Sequence, residues 1–166
     1  MTALAELRPA AAEDLEAIAA LWHRGWREAH LAHSPEALAA HRRLVDFRHR
    51  VPERIPTSTV ATVSSHIVGF VTVHDDEIEQ LYVDASARGG TVAAALLTHG
   101  EKVIAARYAV AWLGVVPGNA RARRFYERQG WRDTGLFDYG AQIAGGTIPV
   151  PCLRYEKVLA RPSRDE

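Results

Sequence analysis

The segment Ile78–Leu97, IEQLYVDASARGGTVAAALL, changes periodicity in mid-course, and that change constrains the fold more than any other feature of the chain. Ile78, Leu81, Tyr82 and Val83 are residue types that suit a strand. Asp84 to Gly89 is small and polar. From Gly90 the apolar positions recur as in a helix: Ala93, Leu97, Gly100 and Ile104 form one stripe, with Val92, Leu96 and Val103 beside it. The segment therefore reads as strand, short loop, helix, with Arg88-Gly89-Gly90 at the helix entrance. The first turn of a helix offers free amides and the positive end of the macrodipole. Two glycines let a phosphate approach the backbone, and Arg88 adds positive charge. The same residues would also serve a plain strand–helix connection, so this feature alone specifies no ligand.

The remaining elements follow from pattern. Leu4–Arg8 reads as a short strand stopped by Pro9. Glu13, Asp14 and Glu16 put negative charge at a helix start, and Leu15, Ile18, Trp22 and Trp26 carry an amphipathic helix to about Ala29. A second helix opens at Ser34-Pro35-Glu36, buries Ala40, Leu44, Phe47 and Val51, and ends at Pro52 and Pro56. Thr59–Ser64, Ile67–His74 and the Ile78 strand form an antiparallel meander with turns at Ser64-Ser65-His66 and Asp75-Asp76. Val110–Val116 is a buried strand closed by Pro117-Gly118. Asn119 caps a helix that ends at Gly130. That helix carries Ala122, Phe125, Tyr126 and Gln129 on one face and Arg121, Arg124 and Arg128 on another. Trp131–Tyr139 and Pro149–Lys157 read as the final strands, with Gly140–Gly146 a loop between them.

Composition bounds the partners. With 166 residues, 48% of them apolar, the chain suits one domain over residues 1–160, with 161–166 a frayed tail. Twenty basic residues balance twenty acidic ones, which gives no support to nucleic acid or an anionic membrane as partner. The single cysteine, Cys152, excludes an internal disulfide and fits the cytoplasm. No apolar run approaches the roughly 20 residues that span a bilayer. Glu6 and Arg8 interrupt the N-terminus, so no signal peptide is expected. His23, His30 and His33, like His41 and His49, lack the close spacing of helical zinc pairs, so no metal is expected.

Two motifs carry a resemblance. Arg88-Gly89-Gly90-Thr91-Val92-Ala93, following Leu81-Tyr82-Val83, is similar to the acyl-CoA pyrophosphate loop of the GNAT N-acetyltransferase superfamily. The family pattern is Arg or Gln, two residues, Gly, one residue, Gly or Ala. Arg88 and Ala93 match, while Thr91 stands at the middle Gly, offering an N–H and a hydroxyl to phosphate but also a Cβ that crowds it. Asn119, then Arg124-Phe125-Tyr126-Glu127, then Gly130-Trp131, resembles the second family signature. The resemblance covers nearly the whole chain. It implies an α/β fold of the GNAT type, a mixed sheet of about seven mostly antiparallel strands flanked by four helices. A splayed parallel strand pair, the Ile78 and Val110 strands, would hold the cofactor.

The resemblance also implies chemistry: direct transfer of acetyl from acetyl-CoA to a primary amine in a ternary complex. Backbone at Leu81, Tyr82 and Val83 would hold the acyl-pantetheine end, one N–H polarising the thioester carbonyl. Residues Arg88 to Ala93 would hold the pyrophosphate. Asn119 would cap its helix, contact the pantetheine amide, or both. Tyr126 matches the tyrosine that protonates the departing thiolate; a core tyrosine is the plain alternative. An amine must also lose a proton. Glu79 is one candidate base, and His30, His33 and His74 are others. In an ideal strand Glu77, Glu79 and Leu81 share one face and Ile78, Gln80 and Tyr82 the other, an alternation that a bulge would change. Acceptor choice in this fold lies in the first two helices and the late loop, here about 22–51 and 138–151, which contain Trp26, His30 and Tyr139. The acceptor class is a small-molecule, amino-acid or peptide amine; a homodimer is left open. The alternative is a non-catalytic acyl-CoA-binding sensor or interaction protein on the same fold. Thr91 favours that alternative, whereas Tyr126 and Asn119 favour the enzyme.

Overall fold

Strand-forming segments separated by tight turns place seven strands in one sheet, seen in a computed structural model that describes residues 4–161. They are β1 (Glu6–Pro9), β2 (Ser58–Val63), β3 (His66–His74), β4 (Glu77–Val83), β5 (Val110–Val115), β6 (Arg132–Ile143) and β7 (Gly146–Val158). Their spatial order is β1-β2-β3-β4-β5-β7-β6. All neighbours are antiparallel except β4 and β5. Ser64 and Ser65 both take positive φ, 49° and 66°, in the two-residue turn from β2 to β3. Such a turn matches the twist of the strands it joins.

The helices are α1 (Leu15–Ala29), α2 (Glu36–Ala39), α3 (Leu44–Arg54), α4 (Val92–Ala105) and α5 (Ala120–Arg128). They divide the core in two. Ile18, Trp22 and Trp26 of α1 pack with Phe47, Val51 and Phe70 in one cluster. Leu96, Leu97 and Ile104 of α4 pack with Val71, Leu113, Trp131 and Tyr155 in the other. Alternate side chains of the sheet feed these two clusters, as the period of a strand requires.

The junction of β4 and β5 creates the opening for a site. The strands pair only at Glu77 and Trp112. There the Trp112 backbone N–H donates to the Asp76 carbonyl at 3.0 Å, and the indole N–H donates to Asp76 Oδ1 at 3.0 Å. Beyond that point the two strands part, so the β4 edge from Ile78 to Val83 has no strand partner on that side. A bulge adjusts the same strand: Ile78 pairs with Val73 but Gln80 pairs with Thr72, leaving Glu79 as the extra residue. Leu81 consequently joins the α4 cluster with Ile78, and Tyr82 joins the α1 cluster. Ideal alternation would have set Leu81 and Ile78 on opposite faces.

Several expectations are corrected. The second helix is two, α2 and α3, and among the described residues the α-helices number five rather than four. The break is made by Asp46, whose carboxylate accepts the Arg43 backbone N–H at 2.8 Å and starts α3 afresh. Leu38 is buried in place of Ala40, and Pro52 lies inside the last turn of α3, which runs on to Arg54. Residues 140–146 are no loop but the end of a long hairpin, turned at Ala144-Gly145 with Gly145 at φ +82°. Val103 is half exposed on α4. The tail expected over 161–166 lies outside the described residues beyond Arg161.

Candidate active site

A cleft of about 1120 Å³ passes through the sheet where β4 and β5 part, and it is lined from both core faces. That volume exceeds the roughly 300–1,000 Å³ of a single small-ligand pocket. On its α4 side the backbone is open. Gly89 takes φ +78°, and a Cβ there would meet nothing within 4 Å. A Cβ on Gly90 would have only the Ala87 carbonyl within reach, at 3.7 Å. Ala95 is the first residue of α4 to donate into the helix, to the Thr91 carbonyl at 2.9 Å, so the amides before it are free for a ligand. Arg88 Nε donates to the Val83 carbonyl at 3.3 Å, and its guanidinium also pairs with Glu28 of α1. The side chains of Thr91 and Val92 do not line the cleft. Thr91 faces a separate groove beside Leu7 and Lys102, and Val92 is core.

Leu81, Tyr82, Val83, Ala93, Asn119 and Tyr126 all line the cleft. Asn119 Oδ1 accepts the Ala122 N–H at 3.2 Å, the expected N-cap. The Tyr126 ring packs against Phe125, Trp131 and Tyr155 at centroid distances of 5.2, 6.2 and 6.3 Å. Among the described residues its hydroxyl makes no hydrogen bond, and burial raises its pKa well above the ordinary phenol value. It is therefore a protonated phenol with a free hydroxyl at the cleft wall.

Two carboxylates of β4 enter the other side. Glu79 accepts from Arg54 Nε at 2.6 Å, both side chains only 13% exposed. Arg54 also donates to Gln142 Oε1 at 2.9 Å, tying α3 to the β6–β7 hairpin. Glu77 is 7% exposed and accepts the Tyr139 hydroxyl at 2.5 Å. Burial pushes the Glu77 carboxyl up to about 7, despite the Tyr139 hydrogen bond that lowers it. Tyr139 is itself raised, chiefly by burial and then by Glu77. Of the two carboxylates, Glu79 is committed to a guanidinium and Glu77 titrates near neutrality.

The wall formed by α1 and the α2–α3 region is aromatic and cationic. Trp26 and His30 line it, their rings 6.4 Å apart, and His30 meets Tyr82 edge-on at 6.3 Å. Gly25 makes this possible: a Cβ there would sit 2.3 Å from Tyr82 Cδ1. Burial, then His33 and Arg42, hold His30 down to about 4, so its ring is neutral at working pH and too weak a base to take an ammonium proton. His74 lines the cleft as well. His33 is not among the lining residues; its ring sits where a Cβ on Gly118 would be. Arg42, Arg50 and Arg54 of the α2–α3 region complete the wall. Cys152, remote from both motifs in sequence, also lines the cleft, and burial raises its thiol to about 11.

Sequence reasoning missed Glu77 and the three arginines. Glu77 had a signal, since it opens the same strand as the candidate Glu79. The arginines had none, because their place on the cleft wall depends on tertiary packing that the pattern does not show.

No curated protein matches the sequence significantly. Solved structures share the fold across nearly their whole length. A GCN5-related N-acetyltransferase from Rhodopseudomonas palustris has TM-score 0.73 at 22% identity, covering 96% of this chain and 98% of that one. A PaiA N-acetyltransferase from Thermoplasma acidophilum, solved in complex with coenzyme A, has TM-score 0.70 at 18% identity, covering 93% and 99%. A ribosomal-protein-alanine N-acetyltransferase from Brucella melitensis has TM-score 0.70 at 24% identity, with the same coverage. The model of the acetyltransferase (GNAT) family matches residues 15–131, a span that holds the loop at Arg88–Ala93, the parting strands and the Asn119 helix. The chain belongs to the acetyltransferase (GNAT) family.

Proposed function

We propose that the protein transfers an acetyl group from acetyl-CoA to a primary amine by direct attack within a ternary complex. The residues present fit the donor. The open space at Gly89 and Gly90 and the free amides of α4 suit a pyrophosphate. The unpaired β4 edge at Leu81, Tyr82 and Val83 suits a pantetheine arm, and Asn119 lies beside it in the cleft wall. Bound there, acetyl-CoA would supply an activated thioester.

The chain's own residues then manage the protons and the charge. Glu77 takes the ammonium proton, because a carboxyl with pKa about 7 is partly ionised at neutral pH and still basic enough to accept it. Backbone N–H of β4 stabilises charge developing on the thioester oxygen. Tyr126 donates its proton to sulfur as the C–S bond breaks, and the second proton of the nitrogen, lost once the N–C bond has formed, restores the phenol. Glu79 positions Arg54 rather than acting as the base. Cys152 keeps its proton, so the thiolate of a covalent acyl-enzyme is not on offer. A single free thiol is in keeping with a cytoplasmic location.

The observation that carries this reading is one cleft holding an unpaired strand edge, a free protonated phenol and a carboxyl poised near neutrality. The experiment is release of free thiol from acetyl-CoA by the purified protein with a library of amines, products identified by mass spectrometry. Thermal stabilisation by acetyl-CoA with no amine accelerating thiol release would replace this reading with the non-catalytic binding protein.

A further inference from the structure

Buried guanidiniums need partners. A charge removed from water is tolerated when it is paired, and an unpaired one is costly. Arg54 has Glu79. Arg42 is 5% exposed, and the one hydrogen bond it makes among the described residues is to the His41 carbonyl at 3.0 Å. Arg50 lies with its guanidinium 4.3 Å from the Trp22 ring centre, and its buried Nε has no hydrogen-bond partner. Neither Arg42 nor Arg50 has a carboxylate within salt-bridge distance among the described residues, and both line the cleft. The three cations crowd one another: burial first, then Arg42 and Arg54, holds Arg50 down to about 9.

Resting on the reading that this cleft takes an amine, we propose that the acceptor also carries a carboxylate, bound by Arg42 and Arg50, and is thus an amino acid or amino-acid-like zwitterion. Arg54 is already paired with Glu79, so the two guanidiniums on this wall that lack a carboxylate partner, Arg42 and Arg50, offer the place for one. Planar guanidiniums also match a carboxylate in a bidentate manner. The amine end is turned by the same electrostatics toward Glu77, so the two ends of the acceptor are sorted between β4 and the α2–α3 region. Trp26, Tyr82 and neutral His30 bound the space between them without adding charge.

The test uses matched pairs, each proteinogenic amino acid against its carboxamide, with kcat/KM measured on the intact protein. The acid of at least one pair should exceed its amide by about 10-fold or more, because the amide leaves buried donors without their anion. Arg50→Gln should erase that ratio, and Arg50→Lys should restore part of it. Arg42→Lys, which keeps a charge at the buried position, should reduce the same ratio. A ratio measured on one preparation does not depend on the fraction folded. A second arm measures thermal stabilisation by N-acetyl amino acids and N-acetyl amino-acid amides with CoA present. Selective, Arg50-dependent binding of the acids without turnover on any amine would uphold this inference and overturn the enzymatic reading. Turnover equal on acids and amides, or best on amines lacking an anion, would overturn this inference and uphold the enzyme. Weakened acetyl-CoA binding in Arg50→Gln with an unchanged acid-to-amide ratio would assign the arginine to the cofactor and likewise overturn it.

Discussion

Tyr126 and Glu77 differ in what surrounds their polar atoms, and that difference decides what their removal would cost. The Tyr126 hydroxyl has no partner among the described residues, so deleting it breaks no native hydrogen bond. Tyr126→Phe should leave melting temperature and acetyl-CoA affinity near the parent values while kcat and kcat/KM fall together by about 100-fold. A purely structural tyrosine would show the reverse, and full turnover in the variant would remove Tyr126 from the mechanism. Glu77 should set the acid limb of the pH profile. Its pKa is raised from 4.5 to about 7, so kcat/KM should rise with pH through about 7, and Glu77→Gln should lose both the limb and most of the rate. The stability sign runs the other way. Between 4.5 and about 7 the folded chain holds this proton more tightly than the unfolded chain. Its contribution is therefore full below 4.5 and is lost as pH rises through about 7. Chemical denaturation from pH 4.5 to 8 should show that loss in the parent and a flatter profile in Glu77→Gln.

At the scale of elements, the anion loop and the β6–β7 hairpin illustrate what sequence makes legible. The strand–loop–helix of residues 78–105 was readable because periodicity changes once and the glycines stand at the change. Gly89→Val and Gly90→Val should both abolish acetyl-CoA binding, for different reasons. Gly89 needs its φ of +78°, so valine there should also lower stability. Gly90 has no such requirement, and valine there should only fill ligand space. Calorimetric titration paired with melting curves separates the two, and binding by Gly90→Val at parental affinity would move the pyrophosphate elsewhere. Other elements hid their chemistry. The α2–α3 break falls in an alanine- and arginine-rich run without Gly or Pro, and only the Asp46 carboxylate on the Arg43 amide makes it. The hairpin reads as a loop in the sequence because Gly140, Gly145 and Gly146 cluster, although Gly145 alone of these takes positive φ, in the turn. Of the cleft, the residues of both motifs were legible because their spacing is local. Glu77 is not among the candidate bases of the sequence, because its burial and the bulge that leaves Glu79 as the extra residue depend on the tertiary fold. Arg42 and Arg50 converge with β4 only through the tertiary fold.

At the scale of the whole molecule, the sheet is two antiparallel halves held at one parallel contact. Glu77 and Trp112 form the sole paired position between β4 and β5, backed by the Trp112 indole on Asp76. Across the rest of that seam the halves are joined through side chains of the α4 cluster, which takes residues from β3 and β4 on one side and β5 and β7 on the other. A ligand lying in the seam would bond the free edge of β4 and touch α4 and α5 at once. It would add to the native state the interactions that the parting strands forgo. Binding to the folded chain alone stabilises by RT ln(1 + [L]/Kd), about 2.7 kcal/mol at 100 times Kd. For a chain of this size that corresponds to a rise of roughly 5–10 °C in melting temperature. Amide exchange should slow in two places together: the β4 edge at Leu81–Val83 and the start of α4 at Gly89–Ala94. Differential scanning calorimetry and hydrogen exchange with and without acetyl-CoA measure both. Protection at α4 with none on β4 would mean that the phosphate end docks but the acyl arm lies outside the seam. No shift in melting temperature at millimolar acetyl-CoA would remove the donor from the cleft altogether.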